Sequence, residues 1–466
     1  MVETILPAPD SARSVRRRRI NKAALIALFA LGAAAFSVGS SIGGRSQNPS
    51  KEARRGCDPA NAGLTLPSGF CASVFADNLG RARHLTIAPS GDVYVNTWSS
   101  TYTEFKNAPG GYVVALRDSD KDGKAETVQR FGTVHQDGKA GGGTGIFVFR
   151  NALYVEDNGR IVRYPLTRGG LVPEGIPDTI LSGLWTERGH IMHPFTITSG
   201  GVMYVNSGSI TNACQEKDRT LGSPGIKDCP ERTLHGGIWR YDAGRTNQTF
   251  SAAERFATGT RNVVALAVDT KNQLYATMHG RDQLGTHWPK LYTQAQNSEL
   301  PSEIFARIDR GDDFGWPFCY YDPNQRKHVL APEYGGDGGK AQGICTQKKQ
   351  PDVIFPAHWA PNGMTFYNAS AFPARYRGGA FVVFHGSHDR TPPQKGFLVA
   401  FVPFEGGKPV GRYEEFATGF SGNRPLAAPT EAANRPMAAA VGPDGALYVS
   451  DDVKGRIWKI TFVGGS

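Results

Sequence analysis

One pattern of apolar and polar positions returns six times along the chain: alternating apolar residues, a turn of Gly, Asp, Asn or Ser, then an apolar-Tyr-apolar run. Alternation with period two marks a half-buried strand, and a short polar turn between two such runs joins them into a β-hairpin. The units are His84 to Trp98 (HLTIAPSGDVYVNTW), Gly145 to Glu156 (GIFVFRNALYVE), Pro194 to Ser207 (PFTITSGGVMYVNS) and Val264 to His279 (VALAVDTKNQLYATMH). A looser copy runs from Gly363 to His385, and the last from Met437 to Asp451 (MAAAVGPDGALYVSD). Their starts are separated by about 50 to about 100 residues, and radial repetition of small sheets tolerates such uneven insertions between blades. The pattern therefore predicts an all-β, six-bladed β-propeller. Gly455 to Phe462 (GRIWKITF) adds one more alternating strand after the sixth unit. The tyrosines and valines of the units are expected to pack between blades, which leaves function to the polar residues at the loop ends.

Composition changes sharply before the first unit. Arg16 to Arg19 form a basic cluster, Lys22 follows, and Ala23 to Val38 carry no charge while including Leu25, Ile26, Leu28, Phe29 and Leu31. That is the layout of a secretory signal or of an uncleaved membrane anchor held with its N-terminus in the cytoplasm. Arg17, Arg18, Ile20 and Lys22 also loosely match a twin-arginine signal. Residues 1–56 are expected to form this signal or anchor segment with its linker, and 57–466 the propeller, in the periplasm or another extracytoplasmic space. The 57 glycines and 30 prolines argue against long helices. Six cysteines in an exported chain point to disulfides, with Cys57 and Cys71, Cys214 and Cys229, and Cys319 and Cys345 as sequence neighbours. Six cysteines allow about fifteen pairings, and a zinc cluster is the rival reading. Much of the net charge of +10 sits in the N-terminal segment and in Lys51, Arg54 and Arg55, so it does not call for a nucleic-acid partner. There is no phosphate-binding Walker loop, no dinucleotide glycine fingerprint and no Gly-x-Ser-x-Gly elbow.

One short motif carries metal chemistry by itself. In Asp118 to Glu126 (DSDKDGKAE), Asp118, Asp120, Asp122 and Gly123 reproduce the first half of an EF-hand calcium loop, while Gln129 stands where the bidentate glutamate belongs. A structural calcium loop and a solvated acidic turn are the two readings.

Five longer motifs occur in order: Leu66 to Asp77 (LPSGFCASVFAD), Thr258 to Asn262 (TGTRN), Phe314 to Pro317 (FGWP), His385 to Arg390 (HGSHDR) and Asn434-Arg435-Pro436. On six hairpins, this set resembles the soluble glucose dehydrogenase and sorbosone dehydrogenase family of enzymes dependent on pyrroloquinoline quinone (PQQ), over residues 64–462. The resemblance implies a cofactor site at the channel, where PQQ, a planar ortho-quinone with three carboxylates, needs cations. Arg261 and Asn262 match the family's Arg-Asn pair, Arg435 matches a cofactor arginine, and Arg390 is a third candidate. The general base should be a histidine, since a hydroxyl must lose its proton as carbon gives up hydride. Alignment of the third hairpin puts that role on His190, with His193 the alternative.

Two departures accompany the match. Ser209 stands where the family has an aspartate assisting the histidine, which leaves Glu187 in its place, the sorbosone branch, or impaired catalysis, and Met437 replaces a second cofactor arginine. Calcium is expected against the cofactor on main-chain carbonyls of the loop His279, Gly280 and Arg281, polarising the quinone carbonyl. The implied activity is oxidation of a sugar, sugar aldehyde or related alcohol. The resemblance implies a cytochrome or membrane ubiquinone as electron acceptor, and with no Cys-x-x-Cys-His haem motif in the chain the electrons must leave to another protein or to a dye. Two other classes compete: a calcium-dependent lactonase-type hydrolase, and a non-catalytic propeller binding glycan or protein, which the Ser209 and Met437 departures favour.

Overall fold

Each of the six repeated units is the inner hairpin of one blade. The inner strands are Ala82–Ile87, Ile146–Phe149, Phe195–Ile197, Asn262–Val268, Pro361–Phe366 and Pro436–Val441. Each pairs antiparallel with the next strand of its own sheet, as in Leu85 with Val95 and Thr196 with Tyr204. Further strands complete six blades of mostly four strands, antiparallel except where Gln248–Thr249 joins the edge of blade 2 in parallel. In this computed structural model the described residues are 57–99, 110–132 and 141–464. The expected signal or anchor segment falls within residues 1–56 and lies outside the described residues. No helix among the described residues is long and apolar enough to cross a membrane.

The period-two pattern works because both faces of every blade are covered by neighbouring blades. Phe195, Met203, Val205 and Trp239 of blade 3 meet Tyr154, Ile161 and Leu181 of blade 2 in one apolar cluster, with Trp239 fully buried. Equivalent clusters fill the spaces between the other adjacent blades. The unit tyrosines do more than fill space: Tyr94 Oη donates to Leu171 O at 2.9 Å and Tyr154 Oη to Ala243 O at 2.9 Å, so each buried hydroxyl is satisfied at a distance in sequence.

The ring closes by pairing the two ends of the domain. Phe70–Ala76 is the outermost strand of blade 6 beside Ile457–Phe462, with Phe70 opposite Phe462 and Ala72 opposite Ile460. Three disulfides join the cysteines that are neighbours in sequence: Cys57–Cys71, Cys214–Cys229 and Cys319–Cys345. The first ties the segment before the closing strand to that strand.

Long insertions leave the same end of blades 3 and 4. They include the helices Leu284–His287 and Gln294–Glu299, the second opened by a capping box between Thr293 and Gln296. The two insertions hold each other: Trp316 Nε1 donates to Asn212 O at 3.0 Å, and Gly225 N to Glu333 O at 2.9 Å.

Candidate active site

In every blade the start of the inner strand and the end of the second strand lie at one end of the ring. At the opposite end the inner strands enclose a channel of about 420 Å3 lined by residues such as Ile87, Val148, Val268, Phe366 and Val441. The mouth end is polar and highly charged. It carries Arg81 and Arg83 from blade 1, Arg261 and Asn262 from blade 4, Asn362 and His385 from blade 5, and Arg435, Asp451 and Asp452 from blade 6.

His190 precedes blade 3 and is held by the chain that leaves it. Its Nδ1 lies 2.7 Å from Ser209 O and 3.1 Å from Ser209 Oγ, while Ser209 Oγ donates to Thr211 O at 2.7 Å. Two acceptors at Nδ1 place the ring hydrogen there and leave Nε2 as a lone pair. Burial, and then the Arg261 guanidinium, hold the imidazole well below the ordinary value of 6.5. Close packing fixes the ring, because a Cβ at Gly208 would stand 2.5 Å from His190 Cβ and 2.9 Å from Asn262 Oδ1. His193 is set differently. It is 1% exposed, with Nδ1 3.0 Å from Asn206 O and Nε2 2.7 Å from Trp185 O, so both nitrogens are committed to the main chain. The geometry makes His193 a structural histidine.

Arg261 is 5% exposed and donates from Nη1 to Gly280 O at 3.0 Å and from Nη2 to Asp282 Oδ2 at 2.7 Å. Its Nε and the Asn262 Oδ1 are buried without a hydrogen-bond partner among the described residues. Burial opposes ionisation of Asp282, yet Arg261 and the neighbouring histidines hold its carboxyl well below the usual range. Arg435 donates from Nε to His385 O at 3.1 Å and from Nη2 to Gly386 O at 3.1 Å. Arg390 is directed elsewhere: it binds Ser298 O, Ala357 O and Glu299, clamping its loop to the helix Gln294–Glu299. In the loop expected to offer metal-binding carbonyls, Gly280 O accepts from Arg261, and the Arg281 guanidinium turns to Glu333 at 2.5 Å. Met437 is fully buried, with Sδ 3.3 Å from Asn362 Nδ2.

Several residues of the mouth, His385 of the HGSHDR motif apart, carry no motif in the sequence. Arg83 donates to Asp452 Oδ2 at 2.6 Å, Asp452 Oδ1 meets His385 Nε2 at 2.8 Å, and Arg81 approaches the same carboxylate at 3.9 Å. Both arginines lie over the Trp98 ring, at 4.9 and 5.3 Å. Burial raises the Asp452 carboxyl, but His385 and Arg83 outweigh it and keep the group ionised. For Arg81 and Arg83 the signal available was the Arg-x-Arg spacing at the start of the first hairpin.

The acidic loop gathers as its motif predicts. Asp118, Asp120 and Asp122 converge with Glu126, their ligand atoms all within 4.8 Å, and Gly123 turns the chain at φ +95°. Gln129 lies beyond it, in the strand Thr127–Phe131.

Fold and site together define a class: six-bladed propellers with a cationic, histidine-bearing channel mouth. The chain belongs to the TrAA12-like family, whose model matches residues 64–462. It is similar to the calcium structure of a Trichoderma reesei carbohydrate-active enzyme of family AA12, at TM-score 0.68 and 16% identity over 86% of this chain and 97% of that one. It is similar also to the holo form of the pyranose dehydrogenase PQQ domain from Coprinopsis cinerea, at TM-score 0.65 and 17% identity over 85% and 97% of the two chains. The PQQ-bound aldose sugar dehydrogenase of Streptomyces coelicolor matches at TM-score 0.52 and 17% identity over 85% and 99%. Among curated proteins, an uncharacterized protein of Borreliella burgdorferi is 27% identical over 212 residues, 45% of this chain and 49% of that protein. The chain thus spans about half the length of that relative. Family and fold agree with the resemblance drawn from the ordered motifs.

Proposed function

We propose that this protein is an exported PQQ-dependent dehydrogenase that oxidises a sugar, sugar aldehyde or related alcohol at the channel mouth. The observation that carries this reading is the gathering of arginines at the channel mouth, the buried Arg81, Arg83 and Arg261 with the partly buried Arg435, beside the ionised Asp282 and Asp452. Guanidiniums from blades 1, 4 and 6 thus gather at one end of the ring, where Arg261 Nε and Asn262 Oδ1 are buried without a hydrogen-bond partner among the described residues. Such a set fits a small polycarboxylate. The PQQ-bound aldose sugar dehydrogenase and the holo pyranose dehydrogenase PQQ domain, to which the fold is similar, support the same ligand.

In this reading Arg261 and Asn262 hold one side of the cofactor, and Arg83, Arg81 and Arg435 the other. When bound, PQQ supplies the two-electron acceptor for hydride. The chain supplies the base. His190 Nε2 takes the substrate hydroxyl proton, the Nδ1 hydrogen stays on Ser209 O, and the imidazolium formed shares its charge with that carbonyl and with the Ser209 hydroxyl. Ser209 therefore fills by main chain the place of the family's aspartate. A lactonase-type hydrolase would need carboxylates around an axial metal rather than arginines. Electrons would leave to a cytochrome or ubiquinone, and three disulfides accord with a periplasmic or other extracytoplasmic site. Calcium is proposed at the Asp118 loop, as a structural ion.

Titration of the calcium-replete full chain with PQQ, followed by cofactor absorbance, tests the reading. One equivalent should bind, and Arg261→Ala should weaken binding about tenfold or more, the cost of a lost charged hydrogen bond. Equal binding by wild type and by an Arg83→Ala/Arg261→Ala double variant would remove the arginine ring from the account.

A further inference from the structure

Beside the arginine ring, three ligand groups from three separate segments meet: Asp282 after blade 4, His358 before blade 5, and Asp389 after the second strand of blade 5. Their ligand atoms all lie within 4.8 Å of one another. Asp282 and His358 are 5% and 3% exposed. The imidazole is oriented from behind. His358 Nε2 faces Asn297 O at 2.8 Å and Leu300 O at 3.1 Å, which puts a ring hydrogen on Nε2 and turns Nδ1 toward Asp282 Oδ1 at 3.7 Å. Burial lowers the His358 imidazole, but the Asp282 carboxylate outweighs it and raises the group, so the buried space between Nδ1 and Oδ1 is set for a positive charge, either a proton or a metal cation.

The surroundings have the form of an outer shell. Asn297 accepts from His358 through its carbonyl and donates from Nδ2 to Asp389 Oδ2 at 3.3 Å, so one buried residue orients two ligands. Asp389 Oδ2 also accepts from Gln283 N at 2.6 Å. Asp282 spends Oδ2 on Arg261 and Arg219, at 2.7 and 3.1 Å, and keeps Oδ1 for the cluster. His388 Nε2, on an exposed side chain, stands 3.7 Å from the same Oδ1 and can complete a fourth position. Metal-binding histidines characteristically donate their other ring nitrogen to a carbonyl in this manner.

We propose that Asp282, His358 and Asp389 bind a first-row divalent cation of the zinc type, with His388 as an outer ligand. An imidazole with two carboxylates suits zinc, manganese or cobalt, whereas calcium takes an all-oxygen shell. Ligands about 2.0–2.2 Å from such an ion sit at most about 4.4 Å apart, so only a small closure of the cluster is needed. Occupancy would staple the loops before and after blade 5 to the loop that follows blade 4, and would fix the Asp282 carboxylate against which Arg261 is set. The site does not depend on the quinone reading.

The test is cobalt titration of the untagged, chelator-stripped full chain in excess calcium and without PQQ, read by visible d–d absorption and by metal content. One equivalent of Co2+ with a d–d band, displaced by Zn2+, is expected. His358→Gln and the half-buried Asp389→Asn should each abolish the band, Asn297→Ala should weaken binding about 10–100-fold, and Asp120→Asn in the acidic loop should leave it unchanged. Circular dichroism identifies variants that fold. Absence of stoichiometric cobalt in folded wild type, or a band that persists in folded Asp389→Asn, overturns the proposal and leaves an imidazolium-carboxylate pair.

Discussion

With its Nδ1 hydrogen committed to Ser209 O, the His190 ring offers Nε2 as base without help from a carboxylate. Replacing His190 by Ala should lower kcat about 10^2–10^4-fold with PQQ binding retained, as measured by steady-state dye reduction and cofactor titration. Ser209→Ala should cost far less, because the 2.7 Å carbonyl contact survives and only the 3.1 Å hydroxyl contact goes. A loss as large as that in His190→Ala would show that the hydroxyl, not the carbonyl, sets the base. Because burial and Arg261 lower the pKa of His190, the base stays neutral to below pH 6.5, so the acid limb of the kcat/KM profile should fall below that value. Arg261 and Asn262 were legible in the sequence through the resemblance, because the TGTRN stretch directly before the fourth hairpin matches the family's Arg-Asn pair. Arg81, Arg83 and Asp452 were not, and although His385 stands in the HGSHDR motif, no spacing shows that blades 1, 5 and 6 bring it together with them. Chemical type alone also could not separate His190 from His193. The difference is which nitrogens the main chain occupies.

At the scale of elements, the six hairpins could be read because period-two alternation survives wherever both faces of a strand are covered. The insertions could not. Gln294–Glu299 spans six residues, too short for a helical period to show, and its capping box is its one local mark. The acidic loop was half legible: the EF-hand template looks for its last ligand at Gln129, whereas the strand begins at Thr127 and Glu126 supplies the fourth carboxylate. Removing calcium, or making Asp120→Ala, should lower the melting temperature by a few degrees without changing kcat, as read by calorimetry and dye reduction. An unchanged melting temperature after chelation would make the loop a solvated turn. Cys57 and Cys71 close a loop of 14 residues, for which chain entropy predicts about 3 kcal/mol. The Cys57→Ser/Cys71→Ser variant should lose roughly that much in denaturant unfolding.

For the whole molecule, closure of the ring by Phe70–Ala76 against Ile457–Phe462 makes all six blades one cooperative body, and many of its titratable groups are buried. Burial lowers His84, His235 and His385 to about 4, with Arg435 also acting on His385. These histidines are neutral in the fold and titrate near 6.5 when unfolded, so their contribution is full above pH 6.5 and is lost as pH falls toward 4. Glu303 and Asp451, raised by burial to about 7 and about 6, act in the opposite sense but are outnumbered. Thermal melts should therefore show stability declining from pH 6.5 to pH 4. The central claim concerns what the mouth of this ring does. The measurement that reaches it most directly is dye reduction by the full chain with PQQ and calcium against a panel of aldoses, sorbosone, aldehydes and alcohols. Turnover of at least one sugar or aldehyde, dependent on added PQQ and lost in both His190→Ala and Arg261→Ala, is the predicted result. Folded, calcium-replete protein that neither binds PQQ nor turns over any of these substrates would contradict the account.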